Sequence, residues 1–157
     1  MKIRRIGTED WQAFREIRLA ALQEAPYAFG STYQAEVGAS EESWRNRLTE
    51  RARFVAEIGG RVVGTVGAGA GEFSGTAALT ALWVDPSFRG RGVGSALIDA
   101  VVEWATSQGL TKVLLWVADV NKVAGRLYER HGFMRTGRVS DVRPGEPAVE
   151  SEMAKAL

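Results

Sequence analysis

The sequence predicts an α/β domain. Apolar and β-branched runs at 54–58, 62–66, 76–84 and 113–117 read as strands, and they alternate with segments over 8–24, 93–108 and 124–131 whose apolar residues recur at helical spacing. Turn-forming residues punctuate the changes of pattern, at Pro26, Gly59-Gly60, Asp85-Pro86, Gly109 and Gly132. A chain of 157 residues corresponds to one domain over 1–157, long enough to bury a full core without covalent staples.

Each element has a local reason. Met1 to Ile6 reads as a short strand, and Thr8-Glu9-Asp10 starts a helix carrying Trp11, Phe14, Ile17 and Leu22 on one face until Pro26 ends it. Tyr27 to Glu42 reads as a loop or broken helix, after which Ser40 caps a second helix carrying Trp44 and Leu48. Gly59-Gly60 supplies the positive φ angles of a tight hairpin between the runs at 54–58 and 62–66. Glycines 64, 67, 69, 71 and 75 then predict a flexible turn before the long strand Thr76 to Val84, which Asp85-Pro86 stops. Val93, Leu97, Val101 and Trp104 define an amphipathic helix over Val93 to Gln108. Val113 to Val117 is apolar throughout, as in the middle of a covered sheet, and Ala124, Leu127, Tyr128 and His131 share a face of the next helix. Two last strands flank Pro144-Gly145-Glu146-Pro147.

Composition narrows the function classes. Twenty Lys and Arg balance nineteen Asp and Glu, which argues against a general nucleic-acid binder. No cysteine and one histidine leave no thiolate nucleophile, disulfide or His-rich metal site, so no metal is expected. The first twenty residues lack an apolar signal core and no run reaches the length of a membrane span, so a cytoplasmic, membrane-free protein is expected. Whether it forms a homodimer is open.

The segment Leu82-Trp83-Val84-Asp85-Pro86-Ser87-Phe88-Arg89-Gly90-Arg91-Gly92-Val93-Gly94 takes the chain from a strand through a basic glycine loop into a helix. Glycines let backbone N–H groups converge, and a helix N-terminus adds partial positive charge, so a diphosphate fits there; a plain strand-to-helix turn is the alternative. A nucleotide P-loop lacks its Lys-Ser or Lys-Thr, and a dinucleotide fold lacks its third glycine, where Ser95 stands.

Arg89, Gly92 and Gly94 occupy the required positions of an Arg-x-x-Gly-x-Gly signature, and Asn121, Ala124, Leu127-Tyr128 and Gly132-Phe133 follow in order. Over 79–133 the chain therefore resembles the GNAT superfamily of acyl-CoA-dependent N-acetyltransferases. The resemblance implies a mixed, mostly antiparallel sheet splayed at the cofactor strand, with helices on both faces, and acetyl-CoA as co-substrate. It implies that Arg89, Gly90, Arg91, Gly92, Val93 and Gly94 hold the CoA diphosphate, and that Leu82 and Val84 pair with the pantetheine arm. It also gives Asn121 a cofactor contact and makes Tyr128 the acid that protonates the departing thiolate. The residues alone leave alternatives: Asn121 as a helix N-cap, Tyr128 as core.

Transfer to an amine needs the neutral amine, a donor for the oxyanion and an acid for the thiolate. Many relatives carry a glutamate on the strand before the signature; here that strand, Thr76 to Val84, has no carboxylate. Glu36 and Glu41 are the candidate bases, with solvated surface acids as the alternative, while Glu72 lies too far from the strand centre. Phe29, Tyr33 and Glu36 are the candidate acceptor contacts, Phe29 and Tyr33 forming a wall with Trp44 unless they serve as core. The acceptor is a small-molecule or peptide amine, and the loop at 142–148 contributes to choosing it. The alternatives are transfer of another acyl group, transfer to a protein amine, or a non-catalytic acyl-CoA-binding module.

Overall fold

Gly59 and Gly60 take φ values of +60° and +78°, the left-handed pair a two-residue hairpin requires. They join β2 (Ala52–Ile58) to β3 (Arg61–Ala70), and successive pairing builds a seven-stranded sheet with β1 (Lys2–Arg5), β4 (Thr76–Val84), β5 (Lys112–Ala118), β6 (Met134–Asp141) and β7 (Val149–Ala156). The computed structural model describes residues 1–157. Strand order is β1-β2-β3-β4-β5-β7-β6, antiparallel at every junction except β4–β5.

Helices cover both faces. On one side, α4 (Val93–Ser107) and α5 (Lys122–Arg130) enclose a core with Leu97, Ile98, Val101, Val113, Leu115 and Tyr128. On the other, α1 (Trp11–Glu24), the single-turn α2 (Tyr33–Glu36) and α3 (Glu41–Glu50) enclose Phe14, Leu22, Trp44 and Val55. The Ser40 hydroxyl accepts the Ser43 N–H at 3.1 Å, so α3 is capped as its sequence predicts.

The glycine-rich turn expected before β4 is mostly strand. Gly64, Gly67 and Gly69 lie within β3, and only Gly71 and Gly75 belong to the connection. These strand glycines answer to close packing: a Cβ on Gly64 would stand 3.1 Å from Leu97 Cδ1, and one on Gly67 would stand 2.6 Å from Thr80 Oγ1.

Beside β4 the sheet opens. β4 and β5 pair only over Thr76–Ala78 with Lys112–Leu114, whereas β5 pairs with β7 along its whole length. On its other edge β4 slips one residue against β3, between Thr65 opposite Trp83 and Gly67 opposite Thr80. Ala81 sits in that bulge with φ +53°, the only non-glycine at positive φ. A left-handed alanine costs about 1–2 kcal/mol, so the flanking pairings hold this kink in place.

Candidate active site

The splay leaves one edge of β4 without a strand partner. Asp85 donates its N–H to the Val63 carbonyl at 2.8 Å, and in antiparallel alternation the preceding residue, Val84, directs its peptide groups to the opposite edge. Leu82 follows the bulge on the same strand and lines the cleft beside that edge. Just beyond, the Asp85 carboxylate accepts the Ser87 N–H at 2.9 Å and fixes the turn at Pro86–Phe88.

Gly90 and Gly92 follow with φ +78° and +81°, and a Cβ on either would meet open space. Gly92 is the N-cap of α4 and has no side chain to satisfy the first-turn N–H groups, so these donors are left for an anion. Gly94 has a different role. A Cβ there would lie 2.9 Å from Leu127 Cδ2, so glycine lets α4 and α5 approach closely at the cleft floor.

A cavity of about 520 Å³ joins these features. Its wall includes Leu82, Val84, Arg89, Gly90, Gly92, Val93, Gly94 and Asn121, eight of the nine positions expected to hold cofactor. Arg91 is the exception, with its guanidinium 5.2 Å from the Phe88 ring centroid and outside the lining. Arg89 reaches back instead of toward the glycines: Nε donates to the Val84 carbonyl at 3.0 Å, and Nη2 donates to Glu24 Oε1 at 2.6 Å. Trp83 Nε1 donates to the same oxygen at 3.0 Å, so Glu24, which sequence reasoning missed, ties the end of α1 to β4 and to the loop that follows it. Asn121 caps α5 by accepting the Ala124 N–H at 3.3 Å and also lines the cavity.

Tyr128 stays behind the wall. It lies 6% exposed in the core, with Phe133 edge-on at 5.8 Å. Burial pushes its phenol above the usual tyrosine range. His131, left without a catalytic role, joins the two helices through Ser95 Oγ at 2.9 Å.

The acceptor candidates Phe29, Tyr33 and Glu36 lie apart from the cavity wall. Glu36 is buried, accepting two bonds from Arg18 at 3.0 and 2.9 Å and one from Arg47 at 2.7 Å. Burial alone would raise its carboxyl, but the hydrogen bonds from Arg18, Ser31 and Arg47 outweigh it and hold the group down to about 2. Held by Arg18 and Arg47 and absent from the cavity wall, Glu36 is placed as a structural hub. Glu41 pairs on the surface with Arg45 at 3.0 Å. Phe29 is 5% exposed beneath the Arg18 guanidinium, and Tyr33 packs against the same core; neither lines the cavity. Ala25, Tyr27 and Ala28 take that place because Pro26 turns the chain so that the residues flanking it face the cleft. The 142–148 loop does meet this segment, through Arg143 Nη1 donating to the Pro26 and Phe29 carbonyls at 3.1 and 2.8 Å. No carboxylate is among the lining residues.

Comparison with known proteins gives a consistent picture. The profile of the Acetyltransferase (GNAT) family matches residues 11–133. An uncharacterized N-acetyltransferase of Methanocaldococcus jannaschii is 39% identical over 95 residues, covering 57% of this chain and 42% of that protein. The chain spans less than half the length of the curated relatives it matches. Among solved structures, a ribosomal-protein-alanine N-acetyltransferase from Brucella melitensis superposes with a TM-score of 0.82 at 21% identity, covering 100% of both chains. A Salmonella typhimurium protein solved with its cofactor acetyl-CoA gives 0.77 at 23% identity, covering 100% of this chain and 94% of that one. At these identities the structural likeness establishes the fold.

Proposed function

Because the chain belongs to the acetyltransferase (GNAT) family, we propose that it transfers an acetyl group from acetyl-CoA to an amine by direct attack in a ternary complex. The observation that carries this reading is the continuity of the cavity, which runs from the uncapped start of α4 to the free edge of β4. The fit is chemical as well as spatial. Gly90 and Gly92 leave room for a diphosphate beside free N–H donors, and the bare edge at Leu82 and Val84 offers amide and carbonyl groups to an extended pantetheine arm. Bound there, acetyl-CoA supplies an activated thioester.

The chain's own groups have three tasks. The α4 N-terminus and Arg89 hold the diphosphate, Arg89 exchanging its present bonds to Glu24 and Val84 for the ligand. The Val84 amide donates to the oxyanion that forms when the amine attacks. As the C–S bond breaks, Tyr128 gives its proton to the leaving thiolate, and the proton shed by the attacking nitrogen restores the phenol. The acceptor enters past Tyr27 and Ala28, under the loop that Arg143 anchors. A non-catalytic acyl-CoA-binding module is the second reading, favoured by the carboxylate-free cavity wall. Release of free CoA in the presence of a panel of amines and peptides separates the two.

Acetyl-CoA is expected to stabilise the fold by about 2.7 kcal/mol at one hundred times its dissociation constant. Gly92→Glu should largely abolish that gain, because it adds a side chain at φ +81° and a negative charge where the diphosphate approaches. Thermal melts of both proteins with and without ligand check it; equal shifts would remove this loop from the binding site.

With no carboxylate in the wall, the amine's own pKa should set the alkaline rise. At subsaturating acceptor kcat/KM should climb about tenfold per pH unit below that pKa, as the neutral fraction does. Two amines about two pH units apart should show inflections separated by the same amount, and a shared inflection would reveal an enzymic base.

A further inference from the structure

The sheet face beneath α1 and α3 gathers four arginines around one carboxylate. Arg18, Arg47 and Arg51 surround Arg53 of β2, and the acid among them is Glu36. Both Glu36 oxygens are already taken by Arg18 and Arg47, and neither Arg51 nor Arg53 forms an ion pair. Arg53 is half-buried, and one nitrogen of its guanidinium is left over in this arrangement. Its Nη1 is closed off from solvent without a hydrogen-bond partner, and its Cζ stands 4.7 Å from the Phe14 ring centroid. Burial first, then Arg18, Arg51 and Arg47, push the guanidinium down to about 9 against the pull of Glu36, and it still remains a cation at neutral pH.

The β3 glycines explain how these side chains lie. Arg53 is paired with Gly67, and Gly67 with Thr80 of β4, so the three form one rung across the sheet. A Cβ on Gly67 would stand 3.3 Å from Arg53 Cζ and Nη2 and 2.6 Å from Thr80 Oγ1, so the guanidinium passes over the glycine toward β4. Gly69 makes the same room for Arg51, whose Nη1 is 3.3 Å from the Cβ position. Thr80 lies where β4 and β5 have just parted, two residues before Leu82 on the free edge. Two residues span at most about 7 Å even fully extended, so both positions lie within reach of one small molecule.

We propose that Arg53, supported by Arg51, anchors a carboxylate of the acceptor, so that the substrate is a small amino-carboxylate whose amine reaches the β4 edge at Leu82. This rests on the acetyl-transfer reading above. A guanidinium nitrogen closed off without a partner is costly, and a carboxylate supplies that partner with the planar geometry a guanidinium matches.

The test compares kcat/KM for pairs of amines of similar pKa with and without a carboxylate, such as 5-aminopentanoate against pentylamine and 4-aminobutyrate against butylamine. The wild type should prefer the carboxylated member of at least one pair by tenfold or more. Arg53→Gln should bring that ratio close to one, Arg53→Lys should retain part of it, and Gly67→Ala should lower it by displacing the guanidinium without removing charge. A wild-type ratio near one in every pair, or a ratio unmoved in Arg53→Gln and Gly67→Ala, overturns the proposal. Calorimetry with glutarate reads the anion site independently of turnover: binding lost in Arg53→Gln supports it, and no binding to the wild type, with or without acetyl-CoA, overturns it. Acetyl-CoA melts of the same proteins report on the acetyl-transfer reading alone, so the two fail separately.

Discussion

Glu36→Gln is expected to lower folding stability by about 3 kcal/mol at neutral pH, the cost of leaving buried cations without their shared carboxylate. Arg18 and Arg47 converge on Glu36 from α1 and α3, so the residue holds α2 against both helices. The pH dependence has a definite sign. A carboxyl at about 2 in the folded chain against 4.5 unfolded contributes its full stability above about pH 4.5 and loses it as pH falls through about 2. At 1.36 kcal/mol per pKa unit the shift again amounts to about 3 kcal/mol. Urea melts of wild type and Glu36→Gln from pH 7 to pH 2 check this: the difference should be largest at neutral pH and shrink toward pH 2. If Glu36→Gln left stability intact and instead removed an inflection from the pH profile of kcat/KM, the carboxylate would be a base after all.

The contrast between Glu36 and the glycine loop shows what kind of information a sequence exposes. The loop from Arg89 to Gly94 is built from backbone conformation and a helix start, and both are written in consecutive residues. Asn121 is legible for the same reason, because capping depends on a neighbour three positions away. The elements themselves followed from periodicity, down to the Ser40 cap and the Gly59-Gly60 hairpin. Glu24 left no such trace: its partners Trp83 and Arg89 are 59 and 65 residues distant, and nothing local marks the last residue of a helix as a bridge.

The misread glycines have a related cause. Without side chains, Gly64, Gly67 and Gly69 erase the two-residue alternation that marks a strand, so the run read as a turn. Their purpose is to admit neighbours, Leu97 and Val93 on one face and the guanidiniums of Arg53 and Arg51 on the other, which only strand register reveals. Glu36 was misplaced because a carboxylate in a polar, turn-rich stretch reads as solvated. Its burial depends on arginines contributed by two other helices.

Tyr128→Phe is expected to reduce turnover by about 10²-fold, the contribution typical of a positioned proton donor, while acetyl-CoA affinity changes little. Asn121, Ala124 and Tyr128 lie at intervals of three and four on α5, so the face that lines the cavity continues inward to the phenol. Burial raises that phenol above its usual range, which favours its protonated form. The ring packs edge-on against Phe133 in a contact that phenylalanine preserves, and the melting temperature should therefore hold. Acceptor and acetyl-CoA titrations under single-turnover conditions, where chemistry limits the rate, isolate the proton-transfer step from product release. A lower rate with an unchanged melt assigns the hydroxyl to the leaving thiolate. An unchanged rate with an unchanged melt assigns Tyr128 to packing and leaves the thiolate to be protonated by solvent or by the ammonium that the attack itself creates.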